Sequence, residues 1–349
     1  MTRAAPLIAL LAGAALLQGC VVAAVPVAAG AAIARERFMG GDHDSDKPLP
    51  KPPAGKFTYL GPVDNAAIGM ATVPPAMQYL YGSGEAAAAS LQTYRALDTY
   101  MMARSSDRAI GHEVKSVVLA PGATFDAPKF TDCGEKPLAV VFDVDETAVL
   151  NLGFEADQAK RGGAYDQQRW LRWEKTGADD VVPVPGVLDA IEIARQANVK
   201  VIFNSNRAAE NAEATAAMLK QAGFGDVVVG DSLWLANAGE QGKDRRRWAI
   251  AQQYCVIAQV GDQLGDFTDL FNSTTPGVAE RRALASAKNV EWLWGLGWFL
   301  LPNPVYGSAL KGSFNEVFPN DKQWTDPADK APAAPAPAAV PPITNGSEN

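Results

Sequence analysis

Two aspartates stand two residues apart at the end of an apolar run, in the sequence VVFDVDET of residues 140–147. Asp143 and Asp145 directly follow a strand that we predict at Leu138–Phe142, because the run is short, apolar and rich in β-branched residues. An aspartate at this point can simply cap a following helix. Two carboxylates at the end of a buried strand also suit a cation site or a nucleophile, so the remaining polar clusters decide between these interpretations.

Polar residues of the same kind occur at the ends of other predicted elements. Ser205 and Asn206 follow the second predicted strand, Asp262 and Asp266 follow the fourth, and Lys243 begins the helix before that strand. Ligands of parallel sheets bind beyond the carboxyl ends of the strands, so we expect these side chains to meet at one edge of the sheet.

The chemistry that these side chains can perform follows from their charge. The four aspartates Asp143, Asp145, Asp262 and Asp266 would repel one another in a crevice of low dielectric, so a divalent cation or a shared proton must compensate. Carboxylate oxygens without a Cys or His cluster favour Mg²⁺ over zinc. Phosphoryl transfer needs a nucleophile, a cation, a lysine and a proton donor. Asp143, Mg²⁺, Lys243 and Asp145 supply that set.

Strands and helices alternate along the body of the chain, which predicts an α/β fold with a doubly wound parallel sheet and helices on both faces. An earlier helix is predicted at residues 74–102. The predicted strands are Leu138–Phe142, 199–203, 226–229, 256–260 and 290–300, and the helices between and after them are 186–197, 209–222, 243–254 and 277–287.

Charge and histidine content exclude several classes of protein. The net charge is −8, and no basic stripe exists that would neutralise phosphates, so we expect no nucleic-acid polymer as a partner. The two histidines are His43, in a Pro/Gly-rich segment, and His112, in a predicted loop. Hydrolases that use a phosphohistidine or a Ser-His-Asp triad need a histidine at the site, so an aspartate nucleophile is favoured.

The two ends of the chain differ in composition from the body. Residues 1–20 read as an export signal that ends in LQGC, and Cys20 is the predicted lipidation site, by similarity to bacterial lipoproteins. The alternative is an uncleaved transmembrane anchor, because the apolar run continues past Cys20. Residues 21–56 form an apolar and then Pro/Gly-rich tether, 57–324 the main domain, and 325–349 an Ala/Pro-rich tail predicted to be disordered. Both readings predict an exported protein of the cell envelope, lipid-anchored in the first.

The motifs VVFDVDET, VIFNSNR and VGDQLGDFTD, together with Lys243, resemble the four motifs of the haloacid dehalogenase (HAD) superfamily. The order YDQQRWLRW, VPGV, FNSNR, GDQLGDF and LPNPVYG is similar, more narrowly, to the class C acid phosphatases over about residues 75–317. That resemblance implies a HAD-like sheet with a mostly helical cap at 151–185, and hydrolysis of phosphomonoesters that include 5′-nucleotides. Asn204 departs from the family's pattern.

The resemblance also implies roles for single residues. Asp143 would attack phosphorus and form an aspartyl-phosphate, and Asp145 would protonate the leaving oxygen and then activate water. Ser205 would bind a phosphoryl oxygen, and Lys243 would stabilise the developing charge. The remaining implied roles are Mg²⁺ binding by Asp143, the backbone carbonyl of Asp145 and Asp262, and support by Thr147, Asn206 and Asp266. Thr147 braces the turn or, alternatively, caps a helix.

Aromatic residues of the cap region and of LPNPVYG are candidates for binding the leaving group. Phe154, Trp173 and Tyr306 are the predicted substrate contacts, since aromatic rings stack on nucleobases. The alternative is that the tryptophans pack a core at helical spacing.

Two cysteines remain once Cys20 is assigned to lipidation. The superfamily's strand order implies that Cys133 and Cys255 lie together at the edge of the sheet opposite the catalytic residues, where either a disulfide or two free thiols are compatible with the sequence.

A phosphatase is not the only function compatible with these residues. A phosphotransferase would pass the same phosphoryl group to an alcohol in place of water. A receiver-like signalling domain uses similar groups, but the export signal and Asp145 speak against it. A binding lipoprotein on an inactive scaffold is a further alternative. The sequence does not determine the oligomeric state.

Overall fold

The centre of the molecule is a parallel β-sheet. In the computed structural model the strands are β1 (Leu138–Phe142), β2 (Val149–Leu150), β3 (Val182–Pro183), β4 (Lys200–Ala208), β5 (Leu233–Ala236), β6 (Cys255–Gly261) and β7 (Trp298–Leu300). Five of them form one sheet in the order β5-β4-β1-β6-β7, and every neighbouring pair is parallel. β2 and β3 form a separate antiparallel pair. The strand that carries the aspartate pair is therefore central.

Helices cover both faces of this sheet. The helices of the unit that contains the sheet are α1 (Pro75–Gly82), α2 (Gly84–Ala109), α3 (Leu152–Arg161), α4 (Gln167–Thr176), α5 (Val187–Gln196), α6 (Ala212–Leu219), α7 (Asp244–Gln253) and α8 (Val278–Ala285). A further short helix, α9 (Phe314–Val317), belongs to a separate unit. Buried residues of α2 and α5 pack in one core cluster, and buried residues of α7 pack in another. The predicted α/β fold, with helices on both faces, is confirmed.

Successive residues of β1 belong to different cores. Val140 and Phe142 lie in the cluster with α2 and α5, whereas Ala139 and Val141 lie in the cluster with α7. All five residues of β1 are buried. Each large side chain buried in this way stabilises the fold by about 1.5–3 kcal/mol, so the strand that ends at Asp143 is firmly fixed.

The predicted early helix is two helices. Ser83 separates α1 from α2; its hydroxyl accepts a hydrogen bond from the N–H of Ala86 and donates to the carbonyl of Tyr79. A serine at this position is a favourable helix N-cap, so the chain stops one helix and starts the next within one residue. α2 also continues beyond Met102, to Ala109.

Two strand predictions are wrong. The predicted strand at 226–229 is replaced by a turn, in which Gly230 has φ +82°, and the edge strand is β5 instead. The predicted strand at 290–300 is reduced to its last three residues. Gly295 and Gly297 have φ of +78° and +138°, and a side chain at Gly297 would come within 2.5 Å of Val117, so the chain turns there before β7.

The cap predicted at residues 151–185 consists of α3, α4, a short 3₁₀ turn and β3. α3 begins directly after the turn that follows the aspartate pair, and α4 contacts both β4 and α6. Asp166 caps α4 by accepting hydrogen bonds from the N–H groups of Gln168 and Arg169. The cap therefore contacts the sheet through α4 as well as following β1 in sequence.

Cys133 and Cys255 form a disulfide in the structure, across 122 residues of sequence. Cys255 is the first residue of β6, and its N–H donates to the carbonyl of Pro137 just before β1. The bond therefore joins the amino-terminal ends of two neighbouring central strands, at the edge of the sheet opposite the aspartates.

The structure describes residues 72–272 and 277–326. The compact unit that contains the sheet ends at Lys311, where the sequence placed the boundary at 324, and Gly312 begins a second unit. The predicted signal peptide, Cys20, the tether and most of the predicted tail lie outside the described residues and stay predictions. No helix in the described part of the chain has both the length and the apolar character needed to cross a bilayer.

Candidate active site

Asp143 lies at the carboxyl end of β1, where the hydrogen-bonding of the sheet continues for one more residue. Its N–H donates to the carbonyl of Val260 in β6, at 2.9 Å. The next residue, Val144, is fully buried, and its carbonyl accepts from the N–H groups of Ala148 and Val149. This tight turn places Val144 in the core, whereas the carboxylates on either side of it lie at the edge of the sheet.

The structure brings three of the predicted aspartates together. Asp143, Asp262 and Asp266 each offer a carboxylate oxygen, and these oxygens lie within 4.8 Å of one another. The ammonium of Lys243 donates to Asp143 and, at 2.7 Å, to Asp266. These residues come from the ends of β1 and β6 and from the start of α7. Their side chains therefore meet at one edge of the sheet, as the sequence predicted.

Burial governs the ionisation of this group. It raises the pKa of Asp262 to about 7, with a further contribution from Asp266. Burial also raises the pKa of Asp143, against the opposing effect of Lys243. Burial lowers the pKa of Lys243, but its pairing with Asp143 and Asp266 outweighs burial and raises it, so the side chain remains an ammonium. A single ammonium leaves this carboxylate group short of positive charge.

The donor set fits a hard divalent cation. Carboxylate oxygens are the ligands that Mg²⁺ and Ca²⁺ prefer. Asp262 is also oriented on both of its oxygens: Oδ1 accepts from the hydroxyl of Thr147 at 3.1 Å, and Oδ2 accepts from Asn303 at 2.7 Å. Such partners fix the direction of a metal ligand. Thr147 therefore contacts Asp262 rather than capping a helix, and Asn303 is a residue that the sequence did not single out.

Asp145 lies next to Ser205 and Arg207, in the second half of β4. Ser205 is fully buried, and its hydroxyl lies 3.4 Å from Asp145 Oδ2. Arg207, a buried residue given no role from the sequence, forms an ion pair with Asp145 at 2.8 Å. Its place inside the FNSNR motif was the signal that could have identified it.

Asn206 lies between these two residues but its side chain is exposed. Its Oδ1 accepts from Arg246 Nη2 at 2.8 Å, and Arg246 Nε donates to Asn204 at 2.7 Å. Asn204, the departure from the family's pattern, is therefore a partner of a buried arginine. Asn206 is one of the two amides that hold Arg246, which is consistent with support rather than with chemistry.

Glu146, between Asp145 and Thr147, is a further residue that the sequence did not single out. It is buried, has a left-handed backbone with φ +53°, and accepts from the hydroxyls of Tyr81 and Tyr306 and from the N–H of Asn151. Burial raises the pKa of Glu146 to about 7. This carboxyl group therefore connects α1, the loop after β7 and the start of the cap.

The predicted substrate aromatics are already engaged within the protein. Phe154 is 6% exposed, with the guanidinium of Arg169 4.7 Å from its ring centre, so a substrate contact is not supported for Phe154. Trp173 donates its N–H to Asn151 at 2.9 Å, and a side chain at Gly153 or Gly177 would collide with its ring. Tyr306 is half-buried and held by Glu146.

Another aromatic residue of the cap is accessible. Tyr165 is 60% exposed, and its hydroxyl donates to Gln167 at 3.0 Å. Burial of its hydroxyl, followed by the negative charges of Glu174 and Asp145, raises the pKa of Tyr165 to about 12. Tyr165 therefore combines an open ring with a position close enough to Asp145 to sense its charge.

Comparison with known proteins agrees with this geometry. The model of the HAD superfamily, subfamily IIIB (Acid phosphatase) matches residues 85–309, which is more than half of the chain. The protein belongs to this family. It is therefore a phosphomonoesterase, and its substrates are small phosphomonoesters. Such phosphatases generally use a divalent metal, and the group of Asp143, Asp262 and Asp266 could bind one.

Two solved structures share the fold. The class C acid phosphatase from Bacillus anthracis has a TM-score of 0.54 and 24% identity, over 67% of this chain and 84% of that one. The same protein with tungstate bound has a TM-score of 0.55 and 23% identity, over 72% of this chain and 96% of the other. The family model thus confirms the predicted membership of the HAD superfamily, subfamily IIIB, and the two structures confirm the fold.

Glu155 of the cap gives the fold a dependence on pH. It is 6% exposed, and burial raises its pKa from 4.5 to about 7, with Arg169 opposing. Tyr81 and Glu146 are the other ionisable groups that interact with it. A raised carboxyl pKa means that the folded state binds the proton more tightly, so its stabilisation is complete below pH 4.5 and is lost as the pH rises through about 7.

We therefore expect Glu155→Gln to raise the free energy of unfolding at pH 7.5, by on the order of 1–3 kcal/mol, and to change it much less at pH 5. Urea unfolding of both proteins at the two pH values measures this. The exposed Glu135, changed to Gln, is the matched control. A difference between Glu155→Gln and the parent that is the same at both pH values would contradict the assignment.

Proposed function

We propose that the protein is a magnesium-dependent acid phosphatase that works through an aspartyl-phosphate on Asp143. The position of Lys243 carries this proposal, because its ammonium contacts both Asp143 and Asp266 at the carboxyl edge of the sheet. A lysine fixed beside a buried carboxylate can stabilise the charge that develops on a phosphoryl group transferred to that carboxylate. Asp262, in the same group, completes an oxygen site for a cation.

The chain's own residues divide the reaction between them. Asp143 attacks phosphorus, and Lys243 stabilises the equatorial oxygens with Ser205. Asp145 gives a proton to the leaving oxygen and later takes one from the water that hydrolyses the aspartyl-phosphate. Asp143, Asp262 and the backbone carbonyl of Asp145 would hold the cation, which supplies positive charge to the phosphoryl oxygens.

Replacement of Asp143 tests the nucleophile. We expect Asp143→Asn to lower kcat for a chromogenic phosphate ester by roughly 10³-fold or more, because an amide cannot form the acyl-phosphate. Acid-quenched parent enzyme should carry one phosphoryl group on Asp143, detected by mass spectrometry. A chelator should abolish turnover, and added Mg²⁺ should restore it.

The control is Asp226→Asn, which makes the same change at an exposed surface aspartate paired with Lys220. That variant should keep the parent activity. A folded Asp143→Asn protein with the parent's kcat would falsify the nucleophile assignment. Adding an alcohol to the reaction separates hydrolysis from phosphotransfer, since the second would yield a new phosphate ester at the expense of inorganic phosphate.

We further propose that 5′-nucleotides are among the substrates, with Tyr165 as a surface for the base. Stacking on an aromatic ring contributes about 1–3 kcal/mol per base, so Tyr165→Ala should lower kcat/KM for a 5′-nucleotide roughly 5- to 100-fold. Tyr165→Phe should retain it, and glycerol phosphate should be unaffected by either change. Trp292, an exposed aromatic residue outside the cap, is the control when changed to Ala. Equal losses on both substrates would contradict a base contact.

Export and lipid anchoring through Cys20 are also proposed, on the basis of the LQGC sequence. Cys20→Ser should release the protein from the membrane fraction and remove the lipid from its intact mass. If the apolar segment instead stays as a transmembrane anchor, Cys20→Ser will remain in the membrane fraction with an unchanged N-terminus. Fractionation followed by mass spectrometry separates these two results.

A further inference from the structure

The two carboxylate oxygens of Asp145 are held unequally. Oδ1 accepts from Arg207 Nη2 at 2.8 Å, from Arg207 Nε at 3.0 Å and from Asn151 Nδ2 at 3.0 Å. Oδ2 has only two longer contacts, with Arg207 Nε at 3.3 Å and with the hydroxyl of Ser205 at 3.4 Å. Three N–H donors therefore saturate one oxygen and leave the other lightly held.

Arg207 is itself fixed in place. It is 2% exposed; its Nη2 also donates to Asn151 Oδ1 at 3.0 Å, and its backbone N–H donates to the hydroxyl of Ser205 at 3.1 Å. The ring of Trp170 lies 5.7 Å from the guanidinium carbon. A buried guanidinium with a planar set of donors has one orientation, so it fixes the orientation of the carboxylate that it contacts.

Asn151 connects this pair to the cap. Its Nδ2 donates to Asp145 and its Oδ1 accepts from the indole N–H of Trp173 at 2.9 Å, as well as from Arg207. Because an indole N–H and a guanidinium are donors only, the oxygen of the amide must face them and its NH₂ must face the carboxylate. The donors and the acceptor around Asn151 therefore fix the orientation of its amide.

We propose that Arg207 and Asn151 are positioning residues for proton transfer by Asp145, and that Trp173 holds them from the cap. This inference rests on the proposed function. In the first half of the reaction Oδ2–H gives its proton to the leaving oxygen as the P–O bond breaks. In the second half Oδ2 takes a proton from water as the water oxygen bonds to phosphorus and the Asp143 carboxylate leaves.

The hydrogen bonds decide which oxygen carries that proton. A protonated carboxyl group has one carbonyl oxygen, which only accepts, and one hydroxyl, which donates. Oδ1 already accepts from three N–H donors, so a proton on Oδ1 would be repelled by their hydrogens. The hydrogen-bond geometry therefore assigns the transferred proton to Oδ2, and Oδ1 keeps its contacts with Arg207 and Asn151 in both halves of the reaction. Ser205, the remaining neighbour of Oδ2, can rotate its hydroxyl to suit.

Leaving-group dependence separates this positioning role from a purely structural one. An alkyl phosphate needs a proton on its leaving oxygen, whereas 4-nitrophenolate leaves without one. We expect Arg207→Lys, which keeps the charge but loses the planar set of donors, to slow alkyl phosphate cleavage in a single turnover roughly 10²-fold. The single-turnover release of 4-nitrophenol should fall less than about 3-fold.

Trp173→Phe is the milder variant, because it keeps an aromatic ring but removes the indole N–H that donates to Asn151. The loss of one hydrogen bond should slow the alkyl ester roughly 5-fold and leave the nitrophenyl ester unchanged. If Arg207→Lys does not fold, as judged by circular dichroism and thermal unfolding, Trp173→Phe decides the question alone. Equal slowing of both esters by these variants would overturn the positioning role and leave Arg207 and Asn151 as structural residues.

Asp145→Asn is the reference that keeps the two hypotheses apart. If Asp145 is the proton donor, this variant must show the same preference for the activated ester, to a greater degree. If it cleaves the alkyl ester at the parent rate, the proton-donor assignment fails, and the positioning role fails with it. If Asp145→Asn shows the preference and the Arg207 and Trp173 variants do not, the positioning proposal alone is wrong.

Discussion

The attraction between one buried ammonium and a group of buried carboxylates is the interaction on which the rest of the structure depends. Lys243 contacts Asp143 and Asp266, and Asp262 lies beside them. Carboxylates this close are unfavourable unless positive charge compensates. The central position of β1 between β4 and β6 provides the rigidity that holds them there. The molecule uses its most buried strands to maintain an arrangement of charge that a flexible loop could not maintain.

The parts of this arrangement that the sequence predicts are those that depend on local pattern. β1 and β6 are short apolar runs buried along their full length, and the parallel sheet brings their carboxyl ends together. The edge strands were predicted less well, for a physical reason. Val228 and Val229 look like a strand by composition but are each 59% exposed, because the turn at Gly230 makes the following residues the ones that pair with β4.

Hydrogen-bond partners from distant parts of the chain could not be predicted. Asn303 orients Asp262 and lies 41 residues away in sequence, and Tyr81 and Tyr306 reach Glu146 from 65 and 160 residues away. Sequence periodicity does not predict such contacts, because they form only when the chain is folded around the site. Asn204 shows the converse. A residue that departs from a family pattern can have a partner that makes the departure stable, here the buried Arg246.

Trp173 of the cap, predicted as a substrate contact, has defined partners within the protein. Trp173 was singled out for its ring, yet its ring packs against Gly153 and Gly177 and its N–H faces Asn151. A cap that served only to cover a substrate would need no bond to the amide beside Asp145. Because this bond exists, movement of α4 cannot occur without disturbing the contacts of Asp145 Oδ1. In the proposed mechanism, the position of α4 and proton transfer by Asp145 are therefore linked through Asn151, which contacts both Trp173 and Asp145.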